Sequence, residues 1–368
     1  MSESPITAIT IPKWGMSMDE GTVTAWHVAE GQTVAEGDEV IDVESEKIAA
    51  AIEAKATGVL RRQVAALGAT LPVGALLGVI ADEGVSDEDV ENYIASFETI
   101  VITDAEDTGP AVQTVEIDGR KIRYVVHGEG GEPVIMIHGF GGDMNAWMFN
   151  QQTLASEREV YAVDLPGHGR SSKDVDDGSL AVLQRAVGSV MQTITSNNVH
   201  LVGHSLGGAV AMALALEYTE RIATLSLVAP AGLGDEINGG FIAGFIAAER
   251  RKDMKPVVQQ LFADPSVVSR KLVEDLLQGK RIDGVNAALA TIAAAQFEGD
   301  RQKNQLASRV SDLDIPVQLI WGRQDGIIPC THSSNLPGAN VQIIDDCGHM
   351  PMMEKVAEFN ALIQSFIA

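Results

Sequence analysis

The hydrophobic pattern splits the chain into two parts with different periods. From residue 134 onward, short, largely apolar runs recur at 134–137, 160–163, 199–202, 223–228, 317–321 and 341–344. A strand buried on both faces reads this way, because neither side of its pleat meets water. Helix-length segments such as 209–218 lie between several of these runs, and 355–367 follows the last. The alternation predicts a mostly parallel sheet covered by helices on both faces, with reactive side chains just past strand C-terminal ends.

The first eighty residues instead alternate apolar with polar positions, and they repeat. Gly21, Gly31 and Gly37 recur 37 residues later as Gly58, Gly68 and Gly74; Val23 recurs as Leu60, Val34 as Leu71 and Val40 as Leu77. Short Val/Ile/Thr-rich runs separated by Gly and Asp predict two similar half-sheets, folded into a small β-barrel or sandwich over residues 1–80. The stretch "VIDVESEKIAAAIEA" at 40–54 places Lys47 between the two copies. The offset carries Lys47 onto Thr10 and Gly84, the outer ends of the module, so a pseudo-two-fold would put this lysine at the pole opposite the termini. The alternative is an ordinary solvated turn lysine.

Residues 81–111 hold no Lys or Arg and concentrate acid in "ADEGVSDEDVENYIASFETI" and "TDAEDTGP". Like charges at this density extend a chain, which predicts an acidic linker with a short helix around 88–97. Such a segment either tethers the first module to the second, over 112–368, or merely separates them. Across the chain, 26 Lys+Arg against 51 Asp+Glu leave a net charge of −25, which argues against a nucleic-acid partner. The apolar runs are too short to span a bilayer and the N-terminus lacks a basic region before an apolar core, so no membrane association and a cytoplasmic location are expected. Cys330 and Cys347 read as thiols in a reducing compartment, and no metal-ligand set stands out.

The second module carries a candidate chemistry. "LVGHSLGGAVAMALALEY" sets Ser205 in a Gly-x-Ser-x-Gly between a strand and a small-residue helix, the context a strained nucleophile turn requires. "WGRQDGIIP" puts Asp325 after one strand and "DDCGHMPMMEK" puts His349 after the next, so His349 would take the serine proton while Asp325 holds its tautomer. "MIHGFGGDMNAW" follows an earlier strand, and the backbone N–H groups of Phe140 and Leu206 are the candidate oxyanion hole. His138 and His204 are read as orienting loops and His168 as capping a turn; Asp345 and Asp346 sit on the wrong strand to replace Asp325. Residues 232–305 interrupt the strand pattern with helix-compatible sequence. Within them Arg250, Arg251, Lys252 and Lys255 form a basic cluster, which either meets phosphates or is a solvated helix face.

With "ESEKI" at its centre, the first module resembles, over about residues 4–80, the lipoyl domain of 2-oxo-acid-type dehydrogenase complexes; the resemblance implies lipoate on the Lys47 amine. The related biotinyl domains favour methionines around the lysine, where this chain has Glu46 and Ile48. The serine, acid, histidine and "HGFGG" motifs, with "DLPGHGRS" at 164–171, resemble the α/β-hydrolase family over 112–368, which implies a helical lid at about 232–305. Together they resemble the dihydrolipoamide acetyltransferase component of bacterial acetoin-cleaving systems. That resemblance implies acetyl transfer to coenzyme A, with the basic cluster as candidate contacts for its phosphates. It also implies a thiamine-diphosphate-dependent first component, dihydrolipoamide dehydrogenase and a lipoylating enzyme as partners. The chain departs from the usual acyltransferase components in having no His-x-x-x-Asp-Gly motif. A lipoyl-tethered hydrolase of esters, thioesters or carbon–carbon bonds, a carrier scaffold, and a biotin carrier remain the other readings.

Overall fold

The computed structural model describes residues 6–11, 20–44, 49–82, 84–97, 112–195 and 197–368. They form two compact units, one within Met1–Asp107 and one built from Thr108–Lys280 and Gly284–Ala368.

The first unit contains β1 (Ile6–Thr10), β2 (Glu20–Trp26), β3 (Thr33–Val34), β4 (Glu39–Glu44), β5 (Ala49–Glu53), β6 (Gly58–Gln63), β7 (Thr70–Pro72) and β8 (Leu76–Ala81). One sheet has the order β1-β8-β6-β3 and the other β5-β4-β2-β7. Advancing each strand cyclically by four converts the first order into the second, so the sequence repeat is a structural pseudo-two-fold. The turn glycines agree: Gly31 and Gly68 have φ +84° and +80°, Gly37 and Gly74 +97° and +85°. Val23, Leu60, Val40 and Leu77 all reach the shared core, with Ile9, Ile41, Val43 and Ile80.

The pairing corrects one detail of the offset. β4 meets β5 at Glu44↔Ala49, and β1 meets β8 at Ile6↔Ala81. The forward image of Lys47, Gly84, thus follows β8 as expected, but Thr10 pairs with Leu76 inside the sheet. No turn joins the ends of β8 and β1, so nothing there preserves the residue count. Lys47 itself lies outside the described residues.

The helix expected in the acidic segment is α1 (Asp87–Ser96), capped by the Ser86 hydroxyl, which accepts from Asp89 N at 3.1 Å. Asp87, Glu88 and Asp89 in its first turn suit the positive end of the helix dipole. It packs on β8: Val90 joins Leu76, Val79 and Ala81 in a second cluster, while Arg61 and Arg62 reach Asp87 and Glu91 at 2.7 Å. This explains why "LLGVIA" is buried throughout. One face of the strand fills the sandwich and α1 covers the other.

The second unit is an eight-stranded sheet. It starts with β9 (Val112–Ile117) and β10 (Arg120–His127), an antiparallel pair whose alternating, half-exposed residues form no continuous apolar run. Next come β11 (Val134–Ile137), β12 (Val160–Val163), β13 (Val199–His204) and β14 (Ile222–Val228), interleaved with α2 (Gln151–Leu154), α3 (Leu180–Ile194) and α4 (Leu206–Glu217). An excursion carries α5 (Gly239–Ala247), α6 (Arg251–Gln259), α7 (Arg270–Arg281), α8 (Val285–Gln296) and a small hairpin, β15 (Phe297–Glu298) and β16 (Arg301–Gln302). α9 (Ala307–Val310), β17 (Val317–Gly322), β18 (Asn340–Ile344), α10 (Pro351–Glu354) and α11 (Val356–Phe366) complete it.

The order β18-β17-β14-β13-β11-β12-β10-β9 is parallel from β18 to β12. β11 and β12, "VIMI" and "VYAV", are buried at every position. β18 departs from the expected pattern: it is the edge strand, and Val341 is 40% exposed. Val134, Met136, Val160, Ala162, Val202 and Ile320 form one core with Trp147, Leu154, Phe359 and Ile363, while α3 and α4 pack together and α4 lies on β13. Among the described residues no helix is long and apolar enough to cross a membrane.

Candidate active site

Three loops at the C-terminal ends of β13, β17 and β18 carry the sequence-predicted trio. Ser205 sits between β13 and α4 with φ +52° and ψ −118°, a backbone conformation that is costly for a residue with a Cβ. The surrounding contacts impose it. A Cβ on Gly207 would stand 2.2 Å from the Ile137 carbonyl oxygen, and one on Gly203 2.4 Å from that of Gly207, so the turn closes only because both are glycine. The Ser205 side chain makes no capping bond to α4, while its amide donates to Val228 O at 2.9 Å.

The Asp325 side chain is fully buried and that of His349 nearly so, and His349 Nδ1 lies 2.8 Å from Asp325 Oδ2. The other partners of Asp325 can only donate: Trp321 Nε1 reaches Oδ2 at 2.9 Å, and Ile327 N and Ile328 N reach Oδ1 at 2.8 and 3.0 Å. Surrounded by donors, the carboxylate is the acceptor and His349 Nδ1–H the donor, which leaves Nε2 with the free lone pair. Asp345 pairs with Arg323 instead, and Asp346 occupies a turn with φ +49°.

Two further histidines hold the frame. His204 Nε2 donates to the His349 carbonyl at 2.9 Å, and the two rings lie 4.7 Å apart between centroids. Burial keeps His204 well below the usual histidine range, consistent with the neutral tautomer this bond demands. His138 donates through Nδ1 to Gly139 O at 2.8 Å and accepts Leu165 N on Nε2 at 3.0 Å, which ties the Phe140 loop to the 165 loop. His168 donates through Nδ1 to Pro166 O at 3.0 Å, within its own turn. Asp164, raised by burial, accepts Met144 N at 2.8 Å and Arg170 N at 3.0 Å.

Phe140 lies in the turn Gly139–Gly142, closed by Gly142 N to Gly139 O at 3.2 Å, and Leu206 N is the first of the α4 amides that lack an intrahelical partner. The Phe140 ring meets Phe245 of α5 and Phe297 of β15, each 6.2 Å away edge to face. Lys280 anchors α5 by donating to the carbonyls of Phe245 and Ile246 at 2.6 and 3.0 Å and to that of Ala248; burial lowers this ammonium to about 8. Of the basic cluster, Arg250 precedes α6 and Arg251 opens it, while Lys252 and Lys255 are exposed on it. Cys330 and Cys347 are free thiols.

Sequence reasoning missed Trp321, the indole donor on Asp325, and Glu354, whose carboxylate binds amides of the His349 loop. Trp321 carried a signal, since a buried indole N–H needs an acceptor and a carboxylate lies four residues on.

A family model described as a biotin-requiring enzyme matches residues 7–80, and one for the alpha/beta hydrolase fold matches 132–356. A meta-cleavage product hydrolase from Pseudomonas fluorescens shares the fold of the second unit, with a TM-score of 0.63 and 24% identity over 69% of this chain and 96% of that one. Two proteins, each described as the dihydrolipoyllysine-residue acetyltransferase component of an acetoin cleaving system, match nearly end to end. The one from Cupriavidus necator is 45% identical over 98% of this chain and 97% of its own; the one from Pseudomonas putida is 43% identical over 99% of each. The chain therefore belongs to the α/β-hydrolase-fold family, and within it to the acetyltransferase components of acetoin-cleaving systems, with a biotin/lipoyl module fused in front.

Proposed function

We propose that this protein moves an acetyl group from a dihydrolipoyl arm on Lys47 to coenzyme A, through Ser205, His349 and Asp325. The observation that carries the proposal is the joining, in one chain, of a lipoyl-type module to a hydrolase fold in which a buried carboxylate holds His349 with Nε2 free. Lipoate on Lys47 supplies the acetyl group as a thioester. The framework suits such a carrier, because Lys47 falls between the two copies of the repeat, after the last β4–β5 pair at Glu44↔Ala49.

In the acylation half, Ser205 Oγ attacks the thioester carbonyl as His349 Nε2 takes its proton. The oxyanion is held by the Phe140 and Leu206 amides, and the departing thiol receives the proton from His349. In the second half the coenzyme A thiol gives its proton to Nε2 and attacks acetyl-Ser205; acetyl-CoA leaves as His349 passes that proton to Ser205 Oγ. Asp325 keeps the imidazole in one tautomer throughout and stabilises the imidazolium. The cluster Arg250, Arg251, Lys252 and Lys255 is the proposed contact for the coenzyme phosphates. By the same reading the protein works in the cytoplasm beside a thiamine-diphosphate-dependent component and dihydrolipoamide dehydrogenase, after a lipoylating enzyme has loaded Lys47.

The test is a product assay with S-acetyl-dihydrolipoamide and coenzyme A, quantifying acetyl-CoA and acetate for the wild type and Ser205→Ala. Acetyl-CoA in the wild type, reduced about 10³-fold or more in the variant, is the expected result. Acetate formed at the same rate with or without coenzyme A would make the protein a lipoyl-tethered hydrolase. Trapping an acetyl group on Ser205 distinguishes the acyl-enzyme route from direct attack by coenzyme A.

A further inference from the structure

The turn 261–263, which follows α6 in the lid, lies against the loop that carries His349. His349 N donates to Leu261 O at 2.7 Å. Glu354, the last residue of α10, sends its carboxylate back over the same loop. Its Oε1 accepts Gly348 N at 2.9 Å and Met350 N at 3.3 Å, the amides on either side of His349, while its Oε2 accepts Ala263 N at 2.8 Å. The two segments touch without slack: a Cβ on Gly348 would stand 2.7 Å from both Ala263 N and Leu261 O. Three N–H donors thus converge on one side chain, and a carboxylate can accept from all of them. Glutamine would keep one accepting oxygen and turn an NH2 group toward at least one donor.

From this geometry we propose that Glu354 is a positioning residue for His349, acting through the backbone on both sides of it, and that it makes the placement of the imidazole depend on how the lid turn is seated. One oxygen grips the His349 loop and the other the turn. When the turn is in place, the His349 amide and the Glu354 carboxylate are both satisfied. When it lifts, both lose a partner, and the loop is free to carry Nε2 away from Ser205. Proton transfer is sensitive to such displacements, since a shift of about 1 Å can cost on the order of 100-fold in rate. A lid coupled to the base in this way keeps Ser205 inactive until the site has closed, which disfavours transfer to water.

The inference rests on His349 being the base, and the experiment separates the two. In the full chain, the rate constant for labelling Ser205 with a fluorophosphonate probe is measured with kcat and KM for coenzyme A. Wild type, Glu354→Gln, Ala263→Pro and His349→Ala are compared, with thermal unfolding recorded for each. Glu354→Gln is expected to slow labelling and kcat about 10- to 100-fold with KM within about twofold. Ala263→Pro removes the lid-side N–H, sets a ring carbon against Glu354 Oε2 in its place and is expected to slow both several-fold; it also serves if the glutamine variant does not fold. Wild-type labelling and kcat in either folded variant, with or without a lower Tm, overturn the proposal. If His349→Ala labels at the wild-type rate, the base assignment has failed, whereas a dead His349→Ala beside a fully active Glu354→Gln removes only the clasp.

Discussion

The turn glycines of the carrier repeat and the glycines around Ser205 and His349 are needed for opposite reasons. In the carrier unit Gly31 and Gly68 adopt φ +84° and +80° in open space, with nothing within 4 Å of a would-be Cβ. In the hydrolase unit Gly203, Gly207 and Gly322 stand where backbones touch, and a Cβ on each would lie 2.4, 2.2 and 2.0 Å from a carbonyl oxygen. The carrier turns are limited by local conformation; the turns that carry Ser205 and His349 are limited by contact, because loops from three strands meet there. Function is correspondingly separable in the first and distributed in the second.

The largest expected break in this comparison is Lys47→Arg. It should abolish transfer from the protein-bound arm while turnover of free S-acetyl-dihydrolipoamide changes less than about twofold, whereas Ser205→Ala loses both by about 10³-fold or more. Both variants are assayed with free and tethered donor, and equal losses for Lys47→Arg would show that the units are not separable. Next in size is a pair of alanine substitutions. Gly207→Ala drives a methyl into the Ile137 carbonyl and should prevent the second unit from folding, seen as loss of its thermal transition. Gly68→Ala meets only the left-handed conformation and should cost about 1 kcal/mol, read from the denaturation midpoint of the carrier. A reversed order would mean that packing, not φ, limits the carrier.

The smallest effect is in acid. Burial, with Arg158 nearby, lowers His200 from 6.5 to about 4, and burial lowers His168 to about 3. Between pH 6.5 and these values the unfolded chain binds protons that the folded protein does not, so the stability contributed by neutral histidine is complete above 6.5 and is lost as pH falls through that window. The carrier unit has a single histidine, His27, exposed and 2.9 Å from Asp42. In denaturant unfolding, a change from pH 7 to 5 should therefore destabilise the hydrolase unit more than the carrier, and His200→Asn should reduce its slope by on the order of 1 kcal/mol per pH unit. An unchanged slope would place the proton uptake elsewhere.

Particular residues show how far the chain could be read without coordinates. The repeat was legible because turn glycines must recur wherever the fold recurs, and β11 and β12 because a strand buried on both faces is mostly apolar. β9 and β10 were not read as strands, since a sheet edge half in water gives no apolar run. Lys47 was placed between the copies from spacing alone, but its backward image was misplaced because no turn joins β8 to β1. Ser205 was legible from its flanking glycines. Trp321 and Glu354 were not assigned roles: an indole and a carboxylate near a motif are common, and only their hydrogen bonds distinguish them.

By itself the sequence determined the two-part organisation, the symmetry of the first part and the order of serine, acid and histidine in the second. These properties are written in periodicity and in local backbone demands, which act over a few residues. Only the tertiary structure decided that α1 covers β8, that Trp321 and two backbone amides hold Asp325, and that the turn 261–263 and Glu354 grip the same loop. Those choices depend on which distant groups satisfy each buried donor and acceptor, and a hydrogen bond between residues 91 positions apart leaves no mark on the spacing of either.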